Sequence, residues 1–210
     1  MSNQQPHPDL IKADICRLLS ACYYEPTETF LEEDVFGQLS QLLSLVSSDL
    51  STCAKDMETV FRKNGVDALL KEYTYLFLGP FEIPAKPYGS VYLDGEKIVM
   101  GDSTVRAVEL YQQGGFEVAD DFTEMPDHIA VEIEFLYLLF FKIGQADGEE
   151  LRQLYELKNR FLDEHLGKWI TDFTGRIKTN SQSAYYKILA GLTEQFILQL
   201  MKEERAVDSQ

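Results

Sequence analysis

The chain has 210 residues, 45% hydrophobic and 12% aromatic, which suits a packed core and excludes a disordered polyelectrolyte. Its 19 Lys and Arg stand against 35 Asp and Glu, a formal net charge of −16. Such a surface repels nucleic-acid phosphates and anionic lipid; it attracts cationic partners, or serves solubility alone.

Residues 1–8 are polar, with neither a basic start nor an apolar run, so no signal peptide is expected. The longest uninterrupted apolar run, Phe135 to Phe141, is seven residues, too short to span a bilayer. The expectation is a cytoplasmic protein without stable membrane insertion. Cys16, Cys22 and Cys53 lack metal-type spacing and are expected as reduced thiols.

Helical periodicity dominates from Pro8 onward. Leu10, Ile11, Ile15, Leu18, Leu19 and Cys22 share a broad face that stops before Pro26. A second pattern runs from Thr27 to Phe36 and a third through Leu39, Leu42, Leu43 and Val46. Ser48-Asp49 reads as a cap for a helix that ends at Asn64-Gly65, and Val66 to Leu78 is helical again. From Gly79 to Gly101 prolines and glycines break the pattern. Residues 91–99 read locally as a short hairpin around Asp94-Gly95, within what is expected to be one long ordered loop. Asp102 or Ser103 is the expected cap of the next helix, which stops at Gly114-Gly115. Pro126 falls where a first helical residue belongs, opening a helix to Ile143. Further helices are expected at Gly148–Glu164, Leu166–Ile177 and Ser181–Glu204. The fold class is all-α: a single compact multi-helix domain over 1–210, of nine or ten helices, with residues 1–8 and 205–210 frayed.

Two stretches could carry function. The first is Glu124-Met125-Pro126-Asp127-His128-Ile129-Ala130-Val131-Glu132. His128 and Glu132 are four apart and share a helical face, and Asp127 sits near exposed backbone N–H groups. This fits a charged start to a core helix with a structural histidine bonded to Glu132. It also fits a polar rim of Asp127 and His128 at the mouth of an apolar groove. The second stretch, Tyr73 to Tyr92, is rich in aromatics and proline, a composition suited to peptide contact. Leu76 and Phe77 also fit an inward stripe, whereas Tyr75, Tyr88 and Tyr92 are harder to explain as packing alone.

Other chemistries find little support. A helical di-iron site needs Glu-x-x-His pairs and a zinc protease needs His-Glu-x-x-His; neither occurs. His7 lies in a start that looks unstructured, leaving only His128 and His165 as histidine ligands, so no metal or other cofactor is expected. No nucleophile elbow, P-loop or dinucleotide fingerprint is present, and capping explains Gly101-Asp102-Ser103-Thr104. The chain is not expected to be an enzyme.

Three motifs occur in order: Tyr73-x-x-Leu76-Phe77-x-Gly79-Pro80 followed by Pro87-Tyr88-Gly89-Ser90-Val91-Tyr92-Leu93-Asp94; Glu124-x-Pro126-Asp127-His128-Ile129-x-x-Glu132-x-x-Phe135-Leu136; and the weaker His165-Leu166-x-x-Trp169. Over most of its length the chain thereby resembles the TorD/DmsD family of redox-enzyme maturation chaperones, closest to the DmsD branch. It departs from that pattern at Lys86, where many members have proline. It departs again at Tyr73, Tyr88 and Tyr92, where DmsD-like members favour Trp. The resemblance implies an all-helical TorD-like fold. It also implies a chaperone that binds the twin-arginine signal peptide and apo form of a molybdopterin-dependent reductase catalytic subunit until cofactor insertion and export. Partners from the export or molybdenum-cofactor machinery would follow, as would a monomer or a domain-swapped dimer. Carried over by motif, Tyr73, Leu76, Phe77, Pro87, Tyr88, Ser90, Asp127 and His128 are the expected peptide-binding residues. Tyr75, Tyr92, Glu124 and Glu132 support them. Asp127 is expected to accept an arginine, and His128 to hydrogen-bond after orientation by Glu132. Two alternatives stay open: an assembly factor for a non-exported enzyme such as nitrate reductase, and a nucleotide-binding switch.

Overall fold

Pro8, at the first helical position, starts helix α1 (Pro8–Ala21), capped by His7, whose Nδ1 accepts from the Asp9 N–H at 3.3 Å. The computed structural model describes residues 7–79, 82–117 and 124–207. Residues 1–6 and 208–210, expected to fray, lie outside these. Pro8 is helical, and so are residues 205–207, contrary to expectation.

The predicted helix over Thr27–Phe36 is two helices, α2 (Thr29–Glu32) and α3 (Val35–Ser44). Asp34, at φ 52°, breaks between them in the left-handed region that an α-helix cannot propagate. Helix α4 (Ser48–Asn64) is capped by the Ser47 hydroxyl, one residue earlier than the sequence suggested, and closes at Gly65 (φ 75°). Helix α5 (Val66–Tyr73) widens into a π-helical turn over Thr74–Leu78.

The segment expected as a loop with a hairpin over 91–99 instead contains helix α6 (Gly89–Leu93). Its Asp94 caps the next helix, α7 (Asp102–Gln113): Oδ2 accepts from the Ser103 N–H at 3.0 Å and the Ser103 hydroxyl at 2.6 Å. The expected cap, Asp102 or Ser103, therefore comes from eight or nine residues upstream. Helix α8 is Ile129–Ile143. Helix α9 (Gly148–Phe161), a π-helical turn over Leu162–Leu166 and helix α10 (Gly167–Asn180) form one continuous rod, where the sequence suggested a break. Helix α11 (Ala184–Val207) ends the described chain. Counting continuous rods once, the described residues form ten helices and no β-ladder.

Helix α8 is apolar nearly all round because it is the central element, packed on α1 and α9. Burial of each of Phe135, Leu136, Leu139 and Phe140 stabilises the fold by about 1.5–3 kcal/mol. Aromatic rings knit the rest: Phe36, Phe61 and Tyr185 form one cluster. A second runs Tyr73–Phe77–Phe173–Trp169–Tyr92 with centroids 5.2 to 6.2 Å apart. Cys16, Cys22 and Cys53 are free thiols. No helix among the described residues is long and apolar enough to cross a membrane, and no group of three His, Cys, Asp or Glu among them could hold a metal.

Candidate functional site

The two motif segments meet at the start of α8. Tyr88 and His128 form an isolated antiparallel bridge: the Gly89 N–H donates to the Asp127 carbonyl and the Ile129 N–H to the Pro87 carbonyl, both at 2.8 Å. The Asp127 side chain completes the joint, its Oδ2 accepting from the Ser90 N–H at 2.8 Å. Pro126 is not helical; it lies in a turn closed by the His128 N–H to the Met125 carbonyl, and its own carbonyl accepts from the Tyr111 hydroxyl at 2.7 Å. The residue before α8 is His128, whose Nδ1 accepts from the Ala130 N–H at 3.2 Å and caps the helix.

This corrects the rim expected from spacing. Asp127 is 0% exposed and closed off from solvent, whereas His128 is 3% exposed and shows only an edge of its ring, so the acid of the expected rim lies inside. Asp127 holds α6 rather than offering both oxygens outward; its Oδ1 and the Ser90 hydroxyl are buried and hydrogen-bonded to nothing among the described residues.

Glu132 does not orient His128. Its Oε1 takes His165 Nε2 at 2.8 Å and its Oε2 accepts from Trp169 Nε1 at 3.1 Å. His165 and Trp169 are four apart in sequence, and the π-helical turn over Leu162–Leu166 lies where the rod delivers His165 to α8. Burial pushes the Glu132 carboxyl up, against the pull of His165. Burial disfavours a charged His165, but contact with Glu132 outweighs it and raises the imidazole. Gly89 lies against this pair: a Cβ there would meet Glu132 Oε1 at 3.0 Å and Trp169 Nε1 at 3.1 Å. The backbone of α6 approaches so closely because residue 89 has no side chain.

His128 sits between two tyrosine rings. Tyr24, just past α1, stacks on it at 6.1 Å and 20°, and the half-buried Tyr88 meets it edge-on at 5.5 Å. Burial lowers the imidazole to about 4, against the attraction of Asp127, so the ring is neutral near pH 7. Burial raises the hydroxyls of Tyr24, Tyr73 and Tyr88. The charges that push them further are carboxylates: Glu134 and Glu124 on Tyr24, Glu124 and Glu25 on Tyr73, Glu124 and Asp127 on Tyr88. On the π-helical turn after Tyr73, Tyr75 and Leu78 are each 46% exposed.

The other expected residues divide by burial. Leu76 and Phe77 are core, Phe77 packing on Tyr73, Phe173 and Tyr186. Pro87 and Ser90 are buried at the bridge. Tyr92 stacks on Trp169 at 5.4 Å and donates to the Lys86 carbonyl at 2.9 Å. Pro80 lies outside the described residues. Sequence reasoning missed Tyr24 and Glu134. Glu134 Oε1 lies 3.1 Å from the Tyr24 hydroxyl and 3.2 Å from the Ser20 hydroxyl. It also missed the partners of Glu132, although the His165-Leu166-x-x-Trp169 spacing places both side chains on one helical face.

A family model described as nitrate reductase delta subunit matches residues 44–175, more than half of the chain. The chain is 30% identical over 181 residues to the "Probable Tat proofreading chaperone DmsD" of Haemophilus influenzae, covering 84% of this chain and 83% of that protein. It is 20% identical over 203 residues to "Chaperone protein TorD" of Shewanella pealeana, covering 90% and 87%. Its fold matches the crystal structure of "a putative redox enzyme maturation protein" from Archaeoglobus fulgidus, with a TM-score of 0.56, 26% identity and coverage of 90% and 93%. The chain belongs to the TorD/DmsD family of redox-enzyme maturation chaperones, the group described by the nitrate reductase delta subunit model.

Proposed function

We propose that this chaperone binds the twin-arginine signal peptide of a molybdopterin-dependent reductase catalytic subunit, together with its apo form, and releases them after cofactor insertion. It acts by binding, without catalysis. The observation that carries this reading is the face around His128: Tyr24 and Tyr88 flank a neutral imidazole, and the carboxylates of Glu25, Glu124 and Glu134 act on the tyrosine hydroxyls. A leader peptide is basic at its start and apolar behind. The carboxylates suit the first part and the exposed Tyr75 and Leu78 the second. Tyr73, Leu76, Phe77, Pro87, Ser90, Asp127, Tyr92 and Glu132 shape the face from beneath; Tyr88 and the exposed edge of His128, with Glu124, meet the peptide.

Calorimetric titration with twin-arginine leader peptides from the reductases of the source organism, beside a twin-lysine control, tests the reading. Binding weakened by the lysine swap supports it. Absence of binding to every leader, with capture of a mature apo reductase subunit instead, would favour an assembly factor for a non-exported enzyme, the reading that the family description of a nitrate reductase delta subunit points toward.

A further inference from the structure

Two groups on the face around His128 have no internal use, and an aromatic ring is held beside them. Nδ1 of His128 accepts the Ala130 N–H, so the proton of the neutral ring is on Nε2. That N–H is bonded to nothing among the described residues, although the His128 side chain is largely buried. Glu134 binds hydroxyls through Oε1 only; its Oε2 accepts from no described group. The Tyr24 ring lies over His128 on one face while its hydroxyl is tied to Glu134, so the ring is held in place beside a carboxylate. A carboxylate with a free oxygen, an oriented aromatic face and an unused N–H donor form a complementary set. A planar cation matches the first two, and a backbone carbonyl the third.

From this geometry we infer that Tyr24 and Glu134 seat an arginine guanidinium of the bound peptide, and that His128 Nε2 donates to a carbonyl of the same peptide. Asp127, the acid that the motif singles out, is committed to Ser90 and plays a positioning part. The seat rests on the peptide-binding reading above. It predicts a preference for arginine over lysine, because a flat guanidinium can stack on Tyr24 while one N–H donates to Glu134 Oε2, whereas an ammonium has no flat face to stack. Glu25 and Glu124 supply the surrounding negative potential rather than direct bonds.

Two probes separate the seat from the leader reading. The first is N-acetyl-arginine amide, titrated into the full chain with the ring signals of Tyr24 and His128 followed by nuclear magnetic resonance. The lysine analogue serves as control. The second is a synthetic peptide carrying two adjacent arginines before an apolar stretch, titrated by calorimetry. Glu134→Gln keeps an oxygen for the Ser20 and Tyr24 hydroxyls and removes the charge. It is expected to abolish the arginine-specific shifts and to weaken the peptide about tenfold. Tyr24→Leu is expected to narrow the arginine-to-lysine ratio. Arginine amide binding at the rings without binding of the peptide would support the seat and count against the leader reading. A peptide bound equally by wild type and a folded Glu134→Gln would overturn the seat and leave the leader reading standing. Silence from both probes would overturn both.

Discussion

The Asp127 carboxylate and the Ser90 backbone N–H are 2.8 Å apart in the interior, tying the start of α6 to the turn before α8 across 37 residues of sequence. A carboxylate that caps a buried helix start stabilises the fold, so its removal acts on stability first. Asp127→Ala is expected to cost about 1–3 kcal/mol, because it leaves the Ser90 N–H without a partner. Urea unfolding checks this; an unchanged midpoint would mean that the joint does not depend on the side chain.

Gly89 touches the Glu132–Trp169 contact with nothing to spare. In Gly89→Ala the new methyl must displace either Glu132 Oε1, which is paired with His165, or the indole nitrogen, which donates to Glu132 Oε2; both are buried. Overpacking of this kind costs about 1–3 kcal/mol. The thermal midpoint should fall, and the fluorescence of Trp169, the sole tryptophan, should change with it. Native emission and an unchanged midpoint would argue against so close an approach.

His128 gives stability a dependence on acidity with a definite sign. Its imidazole titrates near 6.5 when unfolded and near 4 when folded. Between those values the unfolded chain takes up a proton that the folded one refuses, so stability is lost as pH falls from 6.5 to 4, by on the order of 2–3 kcal/mol. Asp127 beside the ring opposes this and is outweighed by burial. His165 is raised, so its contribution is full below 6.5 and is lost as pH rises above it. His128→Asn retains a capping acceptor and cannot titrate; its acid limb should be flatter than that of wild type in denaturant titrations at pH 4.5 and 6.5. Parallel limbs would refute the assignment.

The exposed pair on the π-helical turn should separate binding from folding. Tyr75→Ser and Leu78→Ser remove apolar area that already faces solvent, so each is expected to shift stability by less than about 0.5 kcal/mol. If the apolar part of the peptide lies there, the double variant should weaken peptide binding by roughly tenfold or more. Calorimetry with the wild-type peptide decides, and full affinity in the double variant would place the apolar contact elsewhere.

Rising salt provides a complementary test of the carboxylate face. Exposed charges are screened over about 8–10 Å at physiological ionic strength, so association with a basic peptide should slow as salt increases. Stopped-flow association rates that do not change from 20 mM to 500 mM salt, or thereabouts, would show that burial alone drives binding.

The all-helical class was legible because periodicity is local: the faces of α1, α4, α8 and α11 are written in residues three and four apart. The motif residues were legible for the same reason, as types at fixed spacing. Their roles were not. Whether Asp127 faces solvent or Ser90, and whether Glu132 turns to His128 or to His165 and Trp169, depends on which distant segments pack against α8. A spacing of four residues is silent on that. The short helix α6 escaped notice because its cap comes from Asp127, far along the chain, and Asp94 in turn caps α7 from eight or nine residues upstream. Tyr24 and Glu134 carry no motif at all; only the packing of α1 on α8 brings them together beside His128. Local patterning thus determined the elements and the sign of the surface, whereas long-range burial decided which polar groups are fastened inside and which are left facing a partner. The reason is physical: a buried polar group must find its hydrogen-bond partner in whatever segment the fold brings to it.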